Sequence, residues 1–281
     1  MIEDFQFTDA DFRRIQLLVR EKIGLDLADN KSQMVYGRLA RRVRRLQMDS
    51  VARYLSYIES GDAEEMTHFV NAVTTNVTQF FREGHHFEHL ANEVLPAVWN
   101  RNASQRRLRI WSAGCSSGEE PYSIAAILAS NSPPTPGWDQ RILATDINTE
   151  VLDKARSGIY PASDLANIPR DLRQRFFSRG IGKNSGLARV NEELRSLISF
   201  QPLNLLGAWP MRGPFDVIFC RNVIIYFDRP TRDALIRRFH SLLRSGGVFY
   251  AGHSETLTDL GSMFSCRGQS TYVKLDNEAL A

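Results

Sequence analysis

The sequence predicts an α/β fold: a doubly wound sheet with a small inserted β-subdomain, preceded by an all-α domain. Three observations carry that expectation. Residues 5–70 repeat their apolar positions at helical spacing and show no strand signal. From Leu108 onward, short β-favouring runs alternate with helical stretches, the rhythm of a parallel sheet covered by helices. Between these regions, near Thr74, the chain turns polar and β-branched, as a connection between domains should. We therefore divide it into a helical unit over 1–73, a linker over 74–90 and an α/β unit over 91–281, interrupted at about 157–195. The 281 residues accommodate a small domain plus one of about 200.

Composition narrows the function classes. An apolar content of 43% and a charged content of 24% are ordinary for a soluble globular protein. No run of about eighteen apolar residues is present to span a bilayer. The start, Met1-Ile2-Glu3-Asp4-Phe5, is acidic and lacks the apolar core of a signal peptide. Cys115, Cys220 and Cys266 lie too far apart for a disulfide framework or a zinc pattern. A cytoplasmic protein without membrane insertion is the expectation, and nothing suggests more than a monomer.

In the helical unit, Thr8 or Asp9 can cap a first helix carrying Phe12, Ile15, Leu18 and Val19, with Gly24 as its stop. A second helix, from Asn30 or Ser32, aligns Val35, Leu39, Val43 and Leu46 on one stripe. The same helix holds Arg38, Arg41, Arg42, Arg44 and Arg45. Of these, Arg38, Arg41, Arg42 and Arg45 fall on one broad face, which suits an acidic partner, either nucleic acid or an acidic helical protein. Helices over Val51–Glu59 and from about Ala63 to Val73 follow.

The linker runs from polar Thr74-Thr75-Asn76-Val77-Thr78 into aromatic and basic Phe80-Phe81-Arg82, and domain junctions favour ligand sites. His85, His86 and His89 stand on a helix that should end near Pro96. His85 and His89 have the spacing of a metal pair, but no third ligand is evident and no metal is expected.

The first strand, 108–113, leads into Trp111-Ser112-Ala113-Gly114-Cys115-Ser116-Ser117-Gly118-Glu119-Glu120-Pro121-Tyr122. A strand, a small-residue loop and a helix beginning near Pro121 make a nucleotide-sized pocket at the carboxyl edge of a sheet. Gly114 and Gly118 would let a ligand approach the backbone. The G-x-x-x-x-G-K-[ST] phosphate pattern is absent, and Glu119-Glu120 would repel pyrophosphate. The pair suits a ligand with a cationic amine and no phosphate, such as S-adenosylmethionine. First-turn acids also complement the helix dipole, so the loop alone leaves both readings open.

Strand two, 141–145, ends on Asp146, placed to accept ribose hydroxyls or to cap the helix over 148–155. The insertion holds Arg170–Arg179 and the glycine-punctuated run Gly180, Gly182 and Gly186, between Phe176-Phe177 and Leu187–Val190, as in a hairpin with a long tip. A small sheet there would offer an edge to a peptide strand; a plain surface loop is the alternative. Strands at 197–200, 215–220, 248–251 and 272–275, with a helix over 232–243, complete the chain.

The Gly114 loop, Asp146, Asn204 and Asn222-Tyr226 thus fall on the carboxyl edge of one sheet, and the chain resembles a class I, Rossmann-like S-adenosylmethionine-dependent methyltransferase. More narrowly, Thr75-Asn76-Val77-Thr78-x-Phe80-Phe81-Arg82-Glu83, Ser112 to Ser123, Cys220-Arg221-Asn222-Val223-x-x-Tyr226-Phe227 and Gly252-His253-Ser254-Glu255 resemble the CheR family of chemotaxis receptor methyltransferases, over nearly the whole chain. The resemblance implies transfer of a methyl group from S-adenosylmethionine to glutamates on the cytoplasmic helices of methyl-accepting chemoreceptors. S-adenosylhomocysteine is the product. By matched motif, Asn76, Thr78 and Arg82 close over the cofactor, and Glu119 or Glu120 meets its methionine end. Asp146 meets the ribose, Asn204, Leu205 and Asn222 lie toward the adenine, and Ala113, Gly114, Ile147 and Arg221 also bind the cofactor. Arg82 and Tyr226 stand nearest the methyl as candidate catalytic residues. The arginine face would meet the receptor helix. The loop at Gly180, Gly182 and Gly186 resembles the longer form in members that dock on a receptor's C-terminal pentapeptide.

The chemistry agrees. A γ-carboxylate is ionised at neutral pH, so no strong base is needed, and none is evident. A methyltransferase acting on nucleic acid is the alternative enzyme. The segment after strand 215–220 lacks the Asn/Asp-Pro-Pro-aromatic signature of amino-methylating enzymes of that kind, and no nucleic-acid partner is expected.

Overall fold

The computed structural model describes residues 5–255 and 263–275. Met1–Asp4, on which part of the signal-peptide reading rests, lie outside the described residues. Four helices form the first unit: α1 (Asp9–Ile23), α2 (Ser32–Arg45), α3 (Val51–Glu59) and α4 (Ala63–Val73). Thr8 caps α1 in a reciprocal box with Asp11, and Gly24 ends it in the left-handed region at φ 69°. Ser50 and Asp62 cap α3 and α4. The apolar stripes meet in one core containing Ile15, Leu39, Tyr54 and Phe69.

After α4, residues 74–84 run without regular structure to α5 (His85–His89), a π-turn over Leu90–Val94 and α6 (Leu95–Arg101). The sequence placed the end of one helix near Pro96, whereas the helix continues past it. Pro96 has no N–H to donate, and the wider π-turn just before it, closed by Leu95 N–H to Leu90 O, accommodates the break in the ladder.

The α/β unit comprises β1 (Arg107–Ala113), α7 (Glu119–Ser130), β2 (Asp139–Asp146), α8 (Thr149–Ser157), β3 (Ile159–Pro161), α9 (Arg170–Phe176), β4 (Phe177–Arg179), β5 (Leu187–Val190), α10 (Glu192–Arg195), β6 (Ile198–Pro202), β7 (Phe215–Cys220), α11 (Arg229–Leu242), β8 (Leu243–Ala251), β9 (Phe264–Cys266) and β10 (Thr271–Lys274). Seven strands lie in the order β6-β2-β1-β7-β8-β10-β9, parallel through β8 and antiparallel at β10 and β9. Both faces are covered. Leu108 and Ile110 of β1 feed the core beneath α7, whereas Trp111 and Ala113 feed the core beneath α11.

The insertion is a three-stranded antiparallel sheet, β3-β5-β4, in which the β4–β5 hairpin pairs Phe177 with Val190. The hairpin expected between Phe176-Phe177 and Leu187–Val190 is β4–β5, whereas β3 and β9, three residues each and too brief to show a period, carried no strand expectation.

The two units meet closely. Leu25 bridges Phe227, Asp26 N–H donates to Tyr226 O at 2.8 Å, and Arg20 pairs with Asp228 at 3.2 Å. On the other side, the Asn71 side chain bonds the hydroxyl and the backbone N–H of Thr149, while Asn148 Nδ2 donates to Thr74 Oγ1 at 2.8 Å.

Candidate active site

Strand order reverses at β1, which lies between β2 and β7, and the carboxyl ends there open into a cavity of ≈ 300 Å³. Its lining comes from the loop after β1, the tips of β2 and β6, the segment after β7, the linker from Val73 to Arg82 with Phe87 beyond it, and Ile23 to Lys31 of the helical unit. The domain junction thus forms the site.

The loop is fixed from below. Gly114 and Cys115 N–H both donate to Thr145 O, at 2.8 and 2.9 Å. A Cβ on Gly114 would stand 2.4 Å from Val223, and φ is 79° there. Gly118, at φ 96°, does not line the cavity; a Cβ would meet Ala155 at 2.8 Å and the Tyr160 hydroxyl at 2.9 Å. Its role is close packing against α8 and the insertion.

The two glutamates part company. Glu120 lines the cavity, accepting from Ser112 Oγ at 2.7 Å and facing Arg221 Nη1 at 3.3 Å. Glu119 turns away, held by Ser117 Oγ at 2.8 Å and by Lys154 at 3.7 Å, which corrects its candidacy as a lining acid. Ala113 also falls short, since strand alternation buries it in the core beneath α11.

Asp146 lines the cavity while accepting Ser116 N–H at 2.8 Å and Asn148 N–H at 2.9 Å. The cap of α8 is Asn148, so the alternative role for Asp146 fails. Asn76, Thr78, Arg82, Gly114, Ile147, Asn204, Leu205, Arg221, Asn222 and Tyr226 line the same space. The Asn204 side chain is already committed, with Nδ2 donating to Lys22 O at 3.0 Å and Oδ1 accepting from Leu206 N–H at 2.9 Å. It joins the two units and leaves backbone for any ligand.

Several supports carried no sequence expectation. Buried Arg221 bridges Glu120 and Glu83, at 3.3 and 3.1 Å, and donates to Arg82 O, so it ties the linker to the loop. Ser116 Oγ donates to Asn76 O at 3.0 Å, and Phe81 N–H donates to Ser123 Oγ at 3.0 Å, with the same effect. Buried Glu255 accepts N–H bonds from Gly252, Asn222 and Ile225, at 2.6, 2.8 and 3.1 Å. It shapes the segment after β7, where Asn222 holds a left-handed φ of 59°. Phe81, Glu83 and Ser116 share that conformation, so four non-glycine residues that need outside support cluster at one site. The motif spacing showed Glu83 and Glu255 but not their partners.

His85 and His89 do not form a pair. His89 Nδ1 bonds the Tyr250 hydroxyl at 2.8 Å. Glu83, His85 and His86 converge instead, their atoms within 4.8 Å of one another. Glu83 pairs with Arg221 at 3.1 Å and His86 Nε2 lies 2.7 Å from Gln269 O, while His85 Nε2 and His86 Nδ1 are buried without a hydrogen-bond partner among the described residues. Burial brings the His86 pKa down to about 4, which keeps the ring neutral.

The arginine face is corrected. Arg38 Nη1 donates to Ala72 O and Thr74 O at 3.2 and 2.5 Å, closing the end of α4. Arg42 forms a two-pronged bond with Glu65 at 2.6 and 2.5 Å, and the Tyr54 hydroxyl joins at 2.8 Å. The i,i+4 spacing that puts Arg38 and Arg42 together also turns both toward α4. Arg41 and Arg45 remain exposed, and Arg44 lies 5.4 Å from the Phe5 ring.

Residues 76–273 match the family described as CheR methyltransferase, SAM binding domain, and residues 10–74 match CheR methyltransferase, all-alpha domain. The chain belongs to the CheR methyltransferase family. It is 46% identical to a chemotaxis protein methyltransferase of Escherichia coli strain K12, over 97% of this chain and 93% of that one. The relative from Salmonella typhimurium is also 46% identical, over 99% and 95%. Chemotaxis protein methyltransferase 2 of Pseudomonas aeruginosa is 46% identical over 96% and 95%.

This CheR-family cavity suits S-adenosylmethionine on its own chemistry. The carboxylates of Glu120 and Asp146 face the space from two walls, one suited to a cationic amine and the other to hydroxyl donors. Burial pushes both carboxyls above their ordinary range; Arg221 opposes it at Glu120, and the Asn148 and Ser116 N–H groups oppose it at Asp146. Both must be ionised to accept such a ligand, so binding expels any proton they carry. Affinity for S-adenosylmethionine should therefore be flat on the alkaline side and fall on acidification, beginning above the ordinary carboxylate range. Calorimetry across pH checks this, and a profile that is flat through that range would contradict it.

Proposed function

We propose that this protein methylates the γ-carboxylates of specific glutamates on the cytoplasmic helices of chemoreceptors. The observation that carries the reading is the cavity's inventory. Carboxylates stand ready for a cationic cofactor, Arg82 and Tyr226 lie along the lining, and among the described residues no histidine lines it. An acceptor that arrives ionised needs positioning and dehydration, not a base. The relatives, chemotaxis protein methyltransferases, support a chemotaxis role.

S-adenosylmethionine supplies a methyl group on a cationic sulfonium. Glu120 would take its amine, Asp146 its ribose hydroxyls, and Ile147, Leu205 and the Asn222 segment would flank the adenine. The Arg82 fork holds the acceptor carboxylate; Nη1 already donates to Val77 O at 3.1 Å, which keeps the guanidinium at the linker. The Tyr226 phenol contributes a second donor. The protein works as a monomer in the cytoplasm, where the receptor helices lie.

Two surfaces outside the cavity serve the receptor. Exposed Arg41 and Arg45 meet its acidic helix, through pairs each worth below about 1 kcal/mol. The insertion, with edge strands β3 and β4 and the Gly180, Gly182 and Gly186 tip, takes a C-terminal pentapeptide and raises local concentration. Arg41→Glu with Arg45→Glu should reduce receptor methylation at low salt at least tenfold, on the order of 1.4 kcal/mol, with cofactor binding unchanged. Shortening Gly182–Gly186 should abolish pentapeptide binding alone. Normal low-salt turnover in the first variant, or full tail binding in the second, would remove the corresponding surface from the account.

Radiolabel transfer tests the whole reading. Label should pass from S-adenosylmethionine to receptor cytoplasmic fragments and not to RNA. Label on RNA, or on neither, overturns it.

A further inference from the structure

The cavity lining includes two apolar side chains that the fold leaves exposed. Val77, in the linker, is 80% exposed, and Ile225, after β7, is 48% exposed. Both line the same cavity, beside Arg82 and Tyr226. Scattered surface aliphatics need no explanation, but these two are placed by devices that fix their backbones. Val77 O accepts from Arg82 Nη1 at 3.1 Å. Ile225 N–H donates to buried Glu255 Oε1 at 3.1 Å. Charged partners thus hold the main chain at both residues, while the Val77 side chain stands almost wholly in water and that of Ile225 is half exposed.

The acceptor explains what they wait for. A glutamate side chain is an anionic tip on an apolar stem, and its carboxylate must shed water to attack an electrophilic carbon. Arg82 can replace water at the tip, but a guanidinium does nothing for two methylenes. We propose that Val77 and Ile225 form an apolar collar that grips the methylene stem of the acceptor glutamate and seals the mouth during transfer. This rests on the glutamate reading above and adds the residues that recognise the stem. The collar buries itself and the stem only when the receptor helix is seated, so its free energy appears in the acceptor complex and not in the free protein. The two side chains come from different units of the site, the linker and the α/β sheet, so the seal also requires the linker to be docked.

Val77→Ser, Ile225→Ser and the double variant test this against receptor fragment. Each single change should lower kcat/KM for the receptor about tenfold, the burial of one aliphatic side chain, and the double change about a hundredfold. Affinity for S-adenosylhomocysteine should stay within about twofold, and thermal unfolding should not move for Val77→Ser and only slightly for Ile225→Ser, whose side chain is half exposed in the free protein. Val77→Ile should restore most of the activity. The loss should persist at high salt, unlike that of the exposed arginine pair. Receptor turnover near wild type in the double serine variant overturns the collar. A parallel loss of S-adenosylhomocysteine affinity also overturns it, by assigning the two residues to the cofactor. Wild-type protein that fails to methylate receptor at all would instead remove the glutamate reading.

Discussion

Arg42→Ala should destabilise the helical unit by about 3–5 kcal/mol, the cost of removing one partner from a buried, hydrogen-bonded ion pair. The Glu65 carboxylate is almost fully enclosed, with its side chain 5% exposed, and it accepts both prongs of Arg42 and the Tyr54 hydroxyl. Without Arg42 it keeps only the phenol. Loss on this scale is a large fraction of a domain's total stability, so the variant should be partly unfolded at growth temperature. Arg42→Glu should be worse, since it sets two carboxylates in one pocket. Thermal unfolding followed by circular dichroism measures the effect. Arg41→Ala, on the neighbouring exposed position, should change stability by less than about 0.5 kcal/mol. A stable, cooperatively folded Arg42→Ala protein would show that the pair is dispensable. The comparison also matters for function, because a charge reversal at Arg42 would abolish receptor methylation by unfolding, without reporting on the surface.

Asp146→Ala should weaken binding of S-adenosylmethionine by about 1.5–3 kcal/mol, the loss of charge-assisted hydrogen bonds to two hydroxyls. The carboxylate also accepts Ser116 N–H and Asn148 N–H, so the loop after β1 loses an anchor at the same time. Asp146→Asn separates the contributions. One amide oxygen can replace one acceptor, so the loop stays partly tethered while the charge is gone. Calorimetry should show both variants weakened and both folded, with Asp146→Asn between wild type and Asp146→Ala. Unchanged affinity in folded Asp146→Ala would remove this residue from the cofactor site.

Much of this architecture is legible in the sequence because its signals are local. The α1 stripe, the Thr8 cap and the Gly24 stop are fixed within a few residues, and the strand–loop–helix around Gly114 carries its own periodicity and punctuation. What the sequence could not show is which of two neighbours turns inward. Glu119 and Glu120 are adjacent on a helix, so they point about 100° apart, and only the position of Lys154 and Arg221 decides which meets the cavity. The arginine helix fails for a similar reason. Arg38, Arg41, Arg42 and Arg45 on α2 read as one basic face until α4 packs against it and brings Glu65 within reach of Arg42. Glu255 shows the same limit. Its three backbone donors lie at 222, 225 and 252, and only folding gathers them.

A methyl group that this cavity places on a receptor carboxylate leaves a glutamate methyl ester. Receptor cytoplasmic fragment incubated with the protein and labelled S-adenosylmethionine, digested and mapped by mass spectrometry, tests for it directly. The account predicts one added methyl per modified site, on glutamate side chains of the receptor's helices, released as methanol by mild base as a carboxyl ester must be. The Arg82→Ala variant should leave far less of it. Label that survives base, or that maps to nitrogen or to residues other than glutamate, would contradict the account.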